Sequence, residues 1–535
     1  MAQLHSLVDQ ARSISPLIVA SSLLGLWLLY QLFAYLRDPL RDVPGPLVAR
    51  FTRLWYLREV ARGHFEKTNI ALHKKYGPIV RIAPRYYSVD DMNAISVIYG
   101  HGTHFVKVGF AAHPCREMLE EERQIELTAG QGKWYIASNN PTNKVPDLFT
   151  ELDPDTHAAT RRKVASLYSM TSLIAMEPNA VECAQLLLKK FADFAEKGMP
   201  INLQVWLQYF AFDTIALITL SKRFGFLDTG KDNGGMIAAL HSYLLYLSKV
   251  GVIHEWHRTF TWILSFLPSG GMRFMGGFMQ EQVSEGQKQK TKGSLEKDES
   301  KPTDDFLTKL LRMHALQPDK FSMADVYATC GTNIGAGSDT TSVSLAGIMY
   351  CLMRNPQSLQ KLRQEIDRAI EERGSDDMLT FQESQKLPYL QACIKEGLRL
   401  HPATGLPMVR VVPKGGATIA GRYFPEKTEV GVNSWVAHAN QSIFGVDAEE
   451  FKPERWLESA ERSSEMNRYI MTFGAGSRTC IGKNISLLEI SVLIPELVRK
   501  FDLTLVHPER PLETENVWFV KQKNLDCYVS LRREI

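Results

Sequence analysis

The sequence has no C-x-x-C pair among its seven cysteines, and an odd count cannot close into a full set of disulfides. That argues against a disulfide framework or a zinc ribbon and fits a reducing compartment. Neither charge is in excess: 62 basic against 59 acidic residues leave a formal net charge of +3. Such a balance offers no grip on a polyanion, so nucleic acid is not expected as a partner. Glycine (36) and proline (25) stand at ordinary levels, which removes collagen-like and disordered classes. No internal repeat is visible. What remains is a globular balance, 44% hydrophobic and 23% charged, long enough to bury a core around a closed pocket. At ~150 residues per domain the length alone predicts three or four domains.

Charge is missing altogether from residues 13–36, which Arg12 and Arg37 bracket. At ~1.5 Å per residue that stretch measures about 36 Å, enough to cross a ~30 Å hydrocarbon core with some tilt. A buried core helix rarely stays uncharged for so long. A cleaved signal peptide has a shorter apolar region and a small-residue cleavage site, and none follows here. The stretch therefore predicts an uncleaved transmembrane anchor over 13–36, with residues 1–12 lumenal. Arg37, Arg41, Arg50, Arg53, Arg58 and Arg62 lie downstream, whereas upstream Arg12 is opposed by Asp9. The positive-inside rule then puts the rest in the cytosol. Val43-Pro44-Gly45-Pro46 marks residues 37–50 as a proline-rich hinge.

From about residue 50 helical periodicity dominates, and strand-like runs are short: Ile79–Ile82, Val409–Val412 and Cys527–Leu531. The fold class is mainly α with a minor β part. Residues 281–304 are polar and charged, and predict an exposed loop between helices.

The most specific signal is Phe473-Gly474-Ala475-Gly476-Ser477-Arg478-Thr479-Cys480-Ile481-Gly482. Its glycines let a backbone turn tightly and approach a large flat ligand. Arg478 supplies a fixed charge two residues before Cys480, and an apolar helical pattern follows from Ile481 to Val498. Cys480 at a helix N-terminus favours thiolate over thiol, and a thiolate in a closed apolar loop suits haem iron. The bland fate of a free cysteine, burial as a small hydrophobe, is expected of the other six.

This loop matches F-x-x-G-x-R-x-C-x-G in full, and the chain resembles the cytochrome P-450 family of haem-thiolate monooxygenases. One departure is Ser486, six residues after the cysteine, where the family usually has Ala; Glu489 follows as expected. The overall style, Leu-Arg-Asp-Val-Pro-Gly-Pro at 40–46 and Gly-Leu-Pro-Met-Val-Arg-Val-Val-Pro-Lys-Gly-Gly at 405–416, resembles fungal pisatin-demethylase-like members. The resemblance covers roughly residues 40–535 and implies one catalytic domain over 51–535.

Ser322 to Asn355 reads as one long helix, with a capping-box start at Ser322 and Asp325 and Pro356 as its stop. Gly335-Ala336-Gly337-Ser338-Asp339-Thr340-Thr341 in its middle predicts a local opening of the hydrogen-bond ladder. The bland reading is close packing against small residues. The segment resembles the family's [AG]-G-x-[DE]-T-[TS], which implies that Thr340 bonds dioxygen or its water and Asp339 relays protons.

Glu396 and Arg399 stand at i,i+3 on one helix face, a pair worth little if exposed. With Pro453-Glu454-Arg455-Trp456 they resemble two further family motifs, which implies a buried triad of Glu396, Arg399 and Arg455 that holds the cysteine loop. The implied cofactor is haem b (iron protoporphyrin IX), with Cys480 as the metal ligand and Phe473 and Gly482 lining it. Its propionates need cations. Arg478 is the first candidate. Arg161 is the second, in His157-Ala158-Ala159-Thr160-Arg161-Arg162, which resembles the family's W-x-x-x-R with His157 for Trp. Arg162 remains open beside it, and Arg410 is a third candidate.

The implied partners are NADPH–cytochrome P-450 reductase, O2, membrane lipid and an apolar small-molecule substrate, at the endoplasmic reticulum membrane. Two alternatives stay in view. A haem-thiolate isomerase or dehydratase needs no reductase, but such enzymes often lose the acid–alcohol pair. A membrane-tethered helical scaffold predicts no haem. Asn440 and Asn484 head Asn-x-Ser sites that a cytosolic domain would leave unglycosylated. Residues 108–131 fit the family poorly and predict a surface insertion or a retained intron. Specificity loops are expected within 136–150 and 236–256.

Overall fold

The computed structural model describes residues 16–105, 133–138, 146–266, 270–291 and 304–532. The 108–131 stretch and residues 13–15 lie outside these. Helices dominate: α1 (Pro16–Leu36), α2 (Pro154–Val164), α3 (Glu177–Lys197), α4 (Leu203–Leu220), α5 (Met236–Val250), α6 (Gly270–Thr291), α7 (Met323–Arg354), α8 (Pro388–Leu400) and α9 (Lys483–Lys500) frame the molecule. Short strands complete it, as the mainly-α expectation required.

The longest helix, α7, starts where the sequence said. Ser322 Oγ accepts from the Asp325 N–H while the Asp325 carboxylate accepts from the Ser322 N–H. It ends at Arg354, two residues before Pro356. Its partner α4 is apolar all round and almost wholly buried, which makes it the core helix that α7 packs along. Leu207, Phe210, Ile215, Ile334, Leu345 and Leu493 belong to the principal core between α3, α4, α7 and α9.

α1 behaves oppositely. Its Leu26, Leu29, Tyr30 and Phe33 side chains are exposed. α4 is also long and apolar enough to cross a membrane, but 83% of it is buried, so it is a core helix and α1 is not. The segment after α1 is pinned to the body: Asp38 pairs with the buried Arg81 guanidinium at 2.8 Å, and Arg81 also donates to the Leu40 carbonyl at 2.6 Å.

β1 (Ile79–Ala83), β2 (Tyr86–Val89), β3 (Arg410–Val411) and β4 (Glu429–Gly431) form one sheet in the order β1-β2-β4-β3. At the C-terminus, β5 (Phe501–Leu505) pairs with β8 (Asp526–Leu531), while β6 (Glu513–Val517) and β7 (Phe519–Lys523) make a hairpin. In that hairpin Lys521 stands opposite Glu515. Its tip is the single residue Trp518, held at φ 87°, a left-handed backbone that a bulky side chain rarely adopts. Packing holds it there: the ring stacks on Trp134 at 4.1 Å between centroids.

One expectation is corrected. Residues 281–291 are not loop but the last three turns of α6. Glu, Gln and Lys are good helix formers, and Val283 is fully buried, which gives this polar stretch a core-facing anchor. Residues 292–303 lie outside the described residues.

Candidate active site

The Cys480 loop is closed by its own backbone. The Gly474 N–H donates to the Met471 carbonyl, the Thr479 N–H to the Gly476 carbonyl at 3.1 Å and the Cys480 N–H to the Phe473 carbonyl at 2.8 Å. Gly476 sits at φ 64°, and a Cβ there would lie 1.6 Å from the Tyr99 carbonyl oxygen. No other residue fits that approach. Gly482 caps α9, and its N–H and that of Lys483 point at the Cys480 sulfur.

Cys480 lies deep in the molecule yet is solvent-accessible, while Cys183, Cys330, Cys393 and Cys527 are buried and Cys351 is half-buried. Burial, with the Asp305, Glu396 and Asp526 carboxylates adding to it, pushes Cys330, Cys351 and Cys527 up to about 12, which makes them inert packing residues. Burial also pushes the Cys480 thiol up, but the Gly482 and Lys483 N–H groups and the Arg161 and Lys483 charges pull the other way. The helix terminus thus acts as expected but does not outweigh burial by itself. Deprotonation falls to a bound metal.

Behind the loop is a buried charge network. Glu396, fully buried, accepts from Arg399 Nε (2.9 Å) and Nη2 (2.8 Å), from Arg455 Nε (2.9 Å), from Trp456 Nε1 (2.8 Å) and from the Lys452 N–H (3.1 Å). Arg399 Nη1 donates onward to the carbonyls of His438 and Ala448. His438 carries no motif and was missed. Its Nε2 accepts from the Met471 N–H at 2.8 Å, so its Nδ1–H donates to the Arg399 carbonyl at 2.9 Å. Burial pushes it down to about 3, which keeps it neutral. Met471 opens the cysteine loop, so His438 ties that loop to the triad.

On α7 the expected opening of the ladder does not occur; the helix is continuous through Gly335–Thr341. Ser338 Oγ donates to the Ile334 carbonyl at 2.9 Å, Thr340 Oγ1 to Ala336 at 2.7 Å and Ser344 Oγ to Thr340 at 2.8 Å. These back-bonds spread the effect of the glycines along the helix instead of breaking it. Ala336 is exposed in the middle of α7, and Thr340, one turn on, is half-buried. Asp339 is buried and held by Lys521 Nζ at 2.7 Å and Gln208 Nε2 at 2.5 Å. Thr341 shares a 2.9 Å hydrogen bond with Ser486. The residue that departs from the family pattern therefore fastens α7 to α9, and with it Thr340 to the Cys480 loop.

The cations fall as follows. Arg161 is half-buried beside Cys480 and makes no hydrogen bond or ion pair among the described residues. Arg162 is exposed and donates back to the Ala158 carbonyl, so it turns away. Arg410 is buried and donates to Tyr135 Oη at 3.3 Å and the Val409 carbonyl at 2.8 Å. Arg478 donates to the carbonyls of Glu151 (2.7 Å) and Leu152 (3.2 Å). Burial, with Arg410 alongside, pushes Arg478 down to about 10. None of Arg161, Arg410 and Arg478 forms an ion pair among the described residues, although the Glu151 and Asp153 charges reach Arg478. Buried and half-buried cations without an ion pair suit a ligand that brings its own carboxylates. His157 is buried on α2, one turn from Arg161. Gly482 lies beside the sulfur, and Phe473 meets Cys480 through its carbonyl, which accepts from the Cys480 N–H. Among the described residues no three His, Cys, Asp or Glu gather around a bare metal ion. A lone accessible thiol with nearby guanidinium groups therefore fits a metal that arrives inside an anionic macrocycle.

Sequence comparison agrees with this geometry. Residues 142–527 match the cytochrome P-450 family profile. The chain is 37% identical over 505 residues to a pisatin demethylase of Fusarium vanettenii, covering 94% of this chain and 92% of that protein. It is 33% identical over 519 residues to a cytochrome P-450 monooxygenase of Aspergillus terreus, covering 94% and 98%. A third relative, the cytochrome P-450 monooxygenase cicH of Emericella nidulans, is 31% identical over 511 residues, covering 94% and 95%.

Proposed function

The chain belongs to the cytochrome P-450 family and is pisatin-demethylase-like, and from that premise we propose that it is a membrane-anchored, NADPH-dependent haem-thiolate monooxygenase of fungal secondary metabolism. The family implies a haem iron, a redox-partner reductase and the use of O2. Its substrate is an apolar small molecule of terpenoid, polyketide or aromatic type. The net reaction takes substrate, O2, NADPH and a proton to hydroxylated product, water and NADP⁺.

Haem b, when bound, supplies the electron transfer to dioxygen and the O–O cleavage that follows. Cys480 would hold the iron, and the Gly482 and Lys483 N–H groups would temper the charge on its sulfur. Arg161, Arg410 and Arg478 would take the propionates, and His157 and Phe473 would complete the residues that hold the macrocycle. Thr340, whose hydroxyl hydrogen goes to the Ala336 carbonyl, offers its oxygen lone pairs as an acceptor on the oxygen side, and Asp339 is the acid behind it that moves protons inward. Glu396, Arg399, Arg455 and His438 hold the loop and touch no reacting atom. The exposed apolar surface of α1 supports a single span in the endoplasmic reticulum membrane with the body in the cytosol.

The observation that carries this reading is the fastening of an accessible thiol to an acid–alcohol helix through Thr341 and Ser486. The test is the reduced, carbon-monoxide-bound spectrum of the full chain. A Soret band at the thiolate position is expected, and Cys480→Ala should abolish it. A wild-type protein without that band would overturn the reading, and product formed without NADPH and reductase would replace it with a reductase-independent isomerase or dehydratase.

A further inference from the structure

Asp339 is not free to act as it stands. Both its carboxylate oxygens are taken inside the protein, Oδ2 by Lys521 Nζ at 2.7 Å and Oδ1 by Gln208 Nε2 at 2.5 Å. Lys521 is itself buried. It comes from a distant element, the β6–β7 hairpin, and Gln208 comes from α4. The pair is therefore a clamp across three elements around one side chain.

Lys521 does not stop at Asp339. Across the hairpin it faces Glu515. Glu515 lies 3.1 Å from Lys523 Nζ and 3.7 Å from His241 Nε2 on α5. Lys523 is half-exposed, and His241 and Glu515 are about a third exposed. His241 feels the charges of Lys521, Glu515, Asp339 and Lys523 together. A row of alternating charges thus runs from solvent to the buried carboxylate on α7.

The geometry points to Lys521 as a positioning residue for proton supply: with Gln208 it holds both oxygens of the Asp339 carboxylate, from the hairpin strand whose cross-strand neighbour Glu515 leads through His241 and Lys523 to solvent. This rests on the monooxygenase reading above. On each turnover Asp339 first takes one proton from the solvent side, where His241 and Glu515 lie, and then passes it inward, so the protein ends in the state it began. In Lys521→Met the carboxylate would keep only Gln208, and a buried carboxylate without its cation takes up a proton and stays neutral.

Two measurements on the full-length protein test this. The first is infrared spectroscopy, which needs no turnover. At neutral pH Lys521→Met should gain one protonated-carboxyl band that the wild type and Lys521→Arg lack, and that Lys521→Met/Asp339→Asn loses. The absence of that band, or its survival in the double variant, would overturn the assignment. The second uses holoenzyme with reductase, NADPH and dioxygen. The share of electrons released as hydrogen peroxide should rise about tenfold in Lys521→Met and recover in Lys521→Arg. An unchanged share in a variant that keeps the thiolate Soret band would overturn the role of Lys521. Loss of that band from the wild type would instead overturn the monooxygenase reading and leave the infrared result standing.

Discussion

The two sides of the site are held in different ways. Behind Cys480 the loop is fixed by at least five bonds into one buried carboxylate, Glu396, and by a neutral histidine that joins that network to Met471. Across from it, the α7 segment is held by hydroxyl back-bonds along its own helix, one clamp on Asp339 and one bridge to Ser486. The first arrangement has little slack, because Arg399, Arg455, Trp456 and His438 are all buried and paired. The second leaves Thr340 half-buried and can rearrange at the cost of a few bonds. A metal ligand needs a fixed position, whereas a proton donor needs a place to move.

Four measurements would break or sharpen that contrast. The largest effect is expected from Glu396→Ala, which leaves the buried Arg399 guanidinium without its anion and Arg455 with Asp447 alone, and should cost about 3–5 kcal/mol. Thermal unfolding would check it; a loss below about 1 kcal/mol would mean that the Cys480 side is not held by charge. Acid comes next. His438 and His401 are pushed down to about 3 and about 4 by burial, against about 6.5 in an unfolded chain. Below pH 6.5 the unfolded chain binds protons that the native one refuses. Stability is therefore full above that pH and falls toward pH 4, by on the order of 3 kcal/mol for each histidine, and His438→Gln should flatten the slope.

Gly476→Ala follows. It combines a left-handed backbone with a clash on Tyr99, each worth ~1–3 kcal/mol, and should lower the melting temperature and weaken the thiolate Soret band. The smallest effect is expected from Ser486→Ala. It removes one hydrogen bond, about 1 kcal/mol by chemical denaturation, and should leave the Soret band unchanged. A larger loss would mean that the α7 side depends on this bridge as strongly as the Cys480 side depends on Glu396.

Much of this was legible in advance because it is local. The Cys480 loop, the Ser322 cap and the Glu396–Arg399 pair are set by residues within a few positions of one another. Lys521 and His438 were not legible, since 182 positions separate Lys521 from Asp339 and no spacing rule links them. His438 bonds main-chain atoms, which leave no mark on side-chain patterns. The choice between Arg161 and Arg162 likewise needed helix orientation. Residues 281–291 were misread because polarity was taken for loop, although Val283 gave a single apolar anchor.

The hairpin that ends in Trp518 has a mechanical consequence. Trp518 and Lys521 sit three residues apart on two-residue-wide ribbon, one stacked on Trp134 and the other gripping Asp339. One short hairpin of five residue pairs therefore carries both contacts, so a shift of its tip against Trp134 would bear on the strand that grips Asp339.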